Sequence, residues 1–189
     1  MNTNMIQLAF QIIIVILSSD LISGLFHWWE DAYGNPNWKI LGKHVVIPNL
    51  LHHTEPRAFL KGNYWQRNNT AIISAIILIG VPACFGWFSW FYTVCILLAS
   101  QSNEVHRKAH QTDKENGKLI CFLQRLGLMQ SRHHHGWHHK APYDCNYCIL
   151  TNYLNPILNA VHFFPSMEKS IAFLFGIKPL RASAIRGGK

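Results

Sequence analysis

The sequence predicts an all-α integral membrane protein: about three transmembrane helices, one followed by a hairpin, beneath a cytoplasmic histidine-rich helical cap. Three observations carry that prediction. Two long apolar segments interrupt a chain that is 49% hydrophobic yet has a mean hydropathy of only +0.06, so its apolar residues are concentrated rather than dispersed. All seventeen Lys and Arg lie between or after those segments. Twelve histidines, most of them in compact groups, fall in the same polar stretches.

The first segment, Met5–Phe26, centres on Ile12-Ile13-Ile14-Val15-Ile16-Leu17. About 20 apolar residues at ~1.5 Å each suffice to cross a bilayer. No basic region precedes the segment and no small-residue cleavage site follows it, so it is expected to stay as a helix over about 5–26. Asp20 lies inside it, flanked by Ser18, Ser19 and Ser23. An intramembrane carboxylate is costly and suggests function. Two turns before His27, it either orients a histidine or pairs with a polar neighbour.

The second segment, Ala71–Ala99, carries no charge and is long for one crossing. Gly80, Pro82 and Gly86 lie near its middle, where a helix bends or stops. It is therefore one kinked helix or a hairpin with arms at about 64–80 and 87–105. The charges decide. Lys39, Lys43, Arg57, Lys61 and Arg67 precede it, the other twelve basic residues follow Ser100, and none lies at the tip. Only a hairpin keeps all of them on one face, as the positive-inside rule expects, and it collects every histidine on the cytoplasmic side.

The cap is expected from 27–63 and 106–180, and with no repeat, low-complexity tract or linker the whole of 1–189 reads as one domain. Tyr147–Phe164 is aromatic but broken by Asn152, Asn155, Pro156 and Asn159, and Ile171–Ile177 is too short to cross; both are expected at the interface. The basic tail from Arg181 to Lys189 is expected to fray. The net charge of +8 suits anionic headgroups, at about 1 kcal/mol per basic residue near the surface. No nucleic-acid motif is present, so nucleic acid is not an expected partner.

His133-His134-His135-Gly136-Trp137-His138-His139 puts five imidazoles in seven residues. That is a poor core and a wasteful surface, whereas neutral imidazole is a ligand for iron, zinc, copper and nickel. On a helix His135, His138 and His139 share one face. His106 and His110 are one turn apart, His52 and His53 are adjacent, and Asp31 follows His27 by four. One zinc needs about four protein ligands or fewer, so eight or more clustered candidates point to two metals, or to one metal and much coincidence. The five cysteines suggest no disulfide framework. Cys84 and Cys95 read as packing residues; Cys145-Asn146-Tyr147-Cys148 has CxxC spacing, which admits a zinc site or free thiols. Zinc hydrolysis uses few ligands and an open water position, fewer than this chain supplies. Two irons in a largely nitrogen shell can activate O₂ and take hydrogen from an unactivated C–H bond, which no side chain does alone. A di-iron hydroxylase and a non-enzymatic metal or haem binding protein stay open on the residues alone.

Four motifs in order then carry a family resemblance. They are Asp20-Leu21-Ile22-Ser23-Gly24-Leu25-Phe26-His27-Trp28 with Asp31; His52-His53-Thr54-Glu55-Pro56; Asn103-Glu104-Val105-His106 with His110; and the histidine cluster after Ser131-Arg132, approached through Leu123-Gln124. Pro142, Tyr147-Cys148-Ile149, Asn155 and Met167-Glu168 extend the pattern, so that it covers about Asp20 to Arg181. The chain resembles the lipid desaturases that include the plasmanylethanolamine desaturases and the plastid phosphatidylglycerol palmitoyl desaturases of plants. The resemblance implies iron ligands at His27, His52, His53, His106, His110, His135, His138 and His139, the last three at the catalytic centre. His134 matches the plasmanylethanolamine branch. Asp31 is implied as a ligand or as a group that fixes a ring tautomer, and His44, His133 and His162 fall outside the pattern.

The implied reaction is O₂-dependent removal of two vicinal hydrogens from a phospholipid chain by a di-iron centre. Electrons come from a separate cytochrome b5 or ferredoxin type of carrier. One branch converts a plasmanyl alkyl ether to a vinyl ether; the other desaturates an acyl chain near its carboxyl end. Ala141-Pro142-Tyr143 and Asn146-Tyr147-Cys148 are closer to the plant branch, His134-His135 to the ether branch, and the ether is slightly favoured.

Overall fold

The computed structural model describes residues 3–181, and among them all regular structure is helical. The basic tail beyond Arg181 lies outside the described residues. Arg181 itself is not frayed: its guanidinium pairs with Glu168 and reaches the Tyr147 hydroxyl at 3.2 Å.

Helix α1, Thr3–Tyr33, is a single uninterrupted rod. Its apolar side chains, Ile6, Phe10 and Ile13 among them, face outward and exposed. Ser19, Ser23, His27 and Asp31, spaced by four, form a buried polar stripe with Asp20 and Gly24 beside it. A π turn, Gly42–Val46, leads into α2, Ile47–Thr54, which presents His52 and His53. Helix α3, Tyr64–Cys84, starts at a capping box of Asn63 and Gln66 and ends just past Pro82. The chain turns over Phe85–Ser89, where Gly86 adopts φ 76°, and returns as α4, Trp90–Ala99. The two arms are antiparallel. Near the tip the Tyr92 hydroxyl donates to Leu78 O at 2.9 Å, and at the other end the Tyr64 hydroxyl meets Gln101 at 3.0 Å.

The hairpin thus forms, with its reversal a few residues past Gly80 and Pro82. The returning arm differs from the expected continuous helix over 87–105. It breaks at Ser100–Gln101, where the Ser100 hydroxyl donates to Leu97 O at 2.7 Å, and resumes as α5, Ser102–His110. Two helices, α1 over Asn4–Tyr33 and α3, are long and apolar enough to cross a membrane. Helix α6, Asp113–Arg125, is broken at Gly117 (φ 72°); α7, Arg132–His138, is capped by Ser131; α8, Leu154–Ala160, and α9, Phe163–Phe175, close the cap.

Between α7 and α8 the irregular segment Asn146–Thr151 lies against the polar stripe of α1. It has no ladder partner, so side chains satisfy its backbone. Asp20 accepts from Leu150 N at 2.7 Å and from Thr151 Oγ1 at 2.6 Å, and Ser23 Oγ accepts from Ile149 N at 3.3 Å. Asn155 brackets Cys148, accepting from its N at 2.9 Å and donating to its O at 2.7 Å. Gly24 permits this approach, because a Cβ there would stand 2.6 Å from Cys148 Sγ and 3.0 Å from Cys148 N. Trp28, Ala32, Tyr147, Cys148, Leu158 and Phe164 form the core beneath.

Gly24→Ala should therefore destabilise the protein by about 1–3 kcal/mol, the usual cost of overpacking. Thermal unfolding of the detergent-solubilised protein measures it; an unchanged midpoint would remove the close approach as a requirement of the fold.

Candidate metal centre

Four helices deliver the histidines to one place. The i, i+4 spacing aligns His106 with His110 on α5 and His135 with His139 at the end of α7, while α1 supplies His27 and α2 supplies His52 and His53. Two groups of donors result, with each group's ligand atoms within 4.8 Å of one another: His52, His106, His110, His135 and His139; and His27, His52, His53 and His138. His52 belongs to both. All but the partly exposed His139 are buried.

In the first group the Nε2 atoms form a chain: His106 to His110 at 3.0 Å, His110 to His135 at 3.1 Å, His135 to His139 at 2.9 Å. One ring nitrogen either donates a proton or offers a lone pair, so this chain cannot be satisfied by hydrogen bonds alone. Lone pairs converging at about 3 Å suit adjacent corners around an ion with metal–nitrogen bonds of about 2.1 Å.

The second group surrounds Asp31, whose Oδ1 lies 2.9 Å from His53 Nε2 and whose Oδ2 lies 3.1 Å from His138 Nε2 and 3.6 Å from His27 Nε2. Asn49 Nδ2 donates to Oδ1 at 2.6 Å and holds the carboxylate. Backbone carbonyls fix the rings from behind. His27 Nδ1 faces Tyr147 O at 3.3 Å, His138 Nδ1 faces Cys145 O at 2.9 Å, and His52 Nδ1 faces Asn49 O. With Nδ1 carrying the proton, each Nε2 lone pair is turned inward, the arrangement that metal-ligating histidines use. His27 Nε2, His52 Nε2, His138 Nε2 and Asp31 Oδ2 are all buried without a hydrogen-bond partner. Such orphans need an explanation, and a nitrogen-rich set with one carboxylate suits divalent first-row metals. The donors fit two such ions.

Four candidate residues stand elsewhere. His134 is in neither group: one position before His135 on α7, its ring is turned about 100° away, and its Nε2 faces Asn155 Nδ2 at 3.2 Å. Asp20 reaches no imidazole, since both of its oxygens hold the Leu150–Thr151 backbone. Of the alternatives for that carboxylate, the polar neighbour is the one realised. Cys145 and Cys148 join neither donor group; Cys148 is packed against α1 and Cys145 Sγ points to Trp137 O at 3.9 Å. His44, His133 and His162 are exposed. Sequence reading passed over Asn49 and Glu30. Asn49 left a signal as a polar residue inside Val45-Val46-Ile47-Pro48-Asn49-Leu50-Leu51, but the carbonyls behind the rings leave none.

Two cavities adjoin the centre. One, of about 310 Å³, lies among α1, α3 and α4 and is lined by apolar side chains such as Ile22, Phe26, Ala75, Leu78 and Ile96. The other, of about 380 Å³, opens in the cap beside His52 and His106 and is lined by His44, Lys61, Gln66 and Arg67. His27, Glu30, Val45, Thr70, Asn103 and Ile149 border both.

The profile of the lipid desaturase domain matches residues 16–182. The chain is 32% identical over 171 residues to a probable fatty acid desaturase of Acanthamoeba polyphaga mimivirus, covering 89% of this chain and 84% of that one. It is 33% identical over 170 residues to the plasmanylethanolamine desaturase of Myxococcus xanthus, covering 86% and 60%. It is 33% identical over 168 residues to the chloroplastic fatty acid desaturase 4-like 1 of Arabidopsis thaliana, covering 85% and 55%. It thus spans less than two thirds of the length of the last two. No solved structure matches the chain.

Burial, aided by neighbouring imidazoles, pushes His110 down to about 4 and His139 down to about 2, and holds His52, His106 and His135 well below the usual imidazole value. An unfolded imidazole takes its proton near pH 6.5, so below that pH the unfolded chain binds more protons than the folded one. Metal-stripped protein should lose stability steadily as pH falls from about 6.5 through 4. Thermal midpoints across that range check it, and a flat profile would contradict the neutral buried imidazoles. Asn49→Leu should lower metal affinity by about 10–100-fold, the range for a lost outer partner; unchanged affinity by titration would separate Asn49 from the site.

Proposed function

The chain belongs to the lipid desaturase family, and on that premise we propose that it is a multi-pass membrane di-iron enzyme that introduces a double bond near the headgroup end of a phospholipid chain. The alkyl ether of a plasmanyl phospholipid, converted to the vinyl ether of a plasmalogen, is the substrate we favour. The overall reaction takes two vicinal hydrogens, O₂, two electrons and two protons to one double bond and two waters. The electrons come from a separate one-electron carrier of the cytochrome b5 or ferredoxin type.

The observation that carries the proposal is the pair of donor groups sharing His52. His106, His110, His135 and His139 would hold one iron and His27, His53, His138 and Asp31 the other, with His52, which lies within both donor groups, completing one of them. When bound, the irons supply the oxygen chemistry that no side chain provides. The protein's own residues do the rest. Tyr147 O, Cys145 O and Asn49 O keep the rings in one tautomer, Asn49 fixes Asp31, and the apolar cavity beside His27 excludes water and admits a lipid tail.

We read 1–189 as one domain with membrane helices at about 5–26, 64–80 and 87–105, the third made of α4 and the start of α5. The hairpin tip carries exposed Trp87 and Trp90 and no basic residue, which suits the far interface. Every Lys and Arg then falls on the cap side, which puts the metal site on the cytoplasmic face.

An acyl chain is the second reading. It is favoured by the plant-like Ala141-Pro142-Tyr143 stretch and by the position of His134 outside both donor groups, since His134 had tilted the choice toward the ether. Lipidomics of a host expressing the chain and fed alkyl-glycerol decides between them. The expected product is an acid-labile ether lipid two hydrogens lighter; a new acyl double bond with unchanged ethers moves the substrate to the second reading. A product one oxygen heavier would make the enzyme a hydroxylase. No lipid change, together with a Soret band, would make it a haem carrier. His138→Ala should lower product by more than about a hundredfold and reduce bound metal, while His162→Ala does neither.

A further inference from the structure

The two cavities at the metal centre differ in kind. The one between the spans is lined mainly by apolar side chains and has no Lys or Arg, and the one in the cap carries two cations, Lys61 and Arg67, with His44 beside them. They meet at His27 and Glu30. Resting on the lipid desaturase reading, we propose that the cap cavity is the site for the phosphate of the lipid substrate, held by Lys61 and Arg67.

The charges around the cavity support an anion at its outer end. Glu104 is fully engaged, by Arg67 Nε at 3.0 Å, Asn68 Nδ2 at 2.9 Å and Arg107 Nε at 2.9 Å. Arg67 Nη1 also donates to Gly62 O, which orients the guanidinium and leaves Nη2 as its free donor among the described contacts. Lys61 is exposed and forms no ion pair among the described residues. Glu30, the one carboxyl bordering the cavity, lies at its junction with the apolar side. Gln66 and Asn103 add neutral donors along the wall. A molecule with a phosphate in this cavity and an aliphatic chain in the other passes His27 where headgroup gives way to chain. A neutral glyceride would leave Lys61 without an anionic partner.

The test measures binding without turnover, using full-length protein in nanodiscs. The probes are a glycerophospholipid, a diacylglycerol with the same chains, and inorganic phosphate. Wild-type protein should bind the phospholipid more tightly than the diacylglycerol. Lys61→Glu should weaken phospholipid binding by about tenfold or more, the range of one lost charge-assisted contact, and leave diacylglycerol binding unchanged. Lys61→Arg should restore it, and Lys39→Glu, an exposed lysine outside the cavity, should have no effect. Equal binding of both glycerides by wild type, or no response to Lys61→Glu, overturns the site. Inorganic phosphate displacing the phospholipid at equal concentration overturns its assignment to a lipid. A phosphate-dependent interaction in a protein that desaturates no lipid would retain this site and remove the enzymatic reading.

Discussion

The centre depends on one carboxylate that touches no metal ligand. Asp20, buried in the apolar length of α1, holds the backbone of Leu150 and Thr151, and Ser23 and Gly24 bring Ile149 and Cys148 against the same helix. An irregular segment can be buried only where its backbone groups find partners, and here side chains of α1, Asn155 and Gln130 provide them. With that segment fixed, the carbonyl of Tyr147 faces His27 and that of Cys145 faces His138. The residue that the sequence offered as a partner for a histidine or for a polar neighbour therefore acts as a tie beneath the cap.

The centre itself works against the fold until it is filled. Buried, neutral rings with converging lone pairs give up hydration without hydrogen bonds in return, and Asp31 adds a carboxylate among them. Each ion bound by such a set returns its binding free energy as folding free energy. Because the donors come from α1, α2, α5 and α7, that energy also ties together positions from His27 to His139 along the chain. The cap is small and its core modest, so the tie matters more here than in a domain with a large apolar interior.

Much of this was legible in the sequence, for identifiable reasons. The i, i+4 pairs His106/His110 and His135/His139 signal a shared helix face, and the absence of basic residues around Gly80–Gly86 signals a reversal. What stayed hidden depends on long-range backbone geometry. No local pattern says that a carbonyl of Tyr147 or Cys145 stands behind a ring 120 or 7 residues away. The break at Ser100–Gln101 was equally silent, because an apolar run followed by a polar helix reads as one helix. His134 misled for a related reason: in a run of imidazoles, composition marks the cluster, whereas only rotation about the helix axis separates an inward ring from its neighbour.

Helix α1 has no hinge between its membrane-embedded half and the turns that carry His27 and Asp31. The height of the centre above the hydrocarbon is therefore set by a rigid rod, at ~1.5 Å per residue, rather than by a flexible loop. Regiochemistry in such a molecule becomes a measurement of depth. On the proposed reading the headgroup sits in the cap, so the carbon that meets the centre is counted down from it along the same rigid rod, whatever the thickness of the membrane.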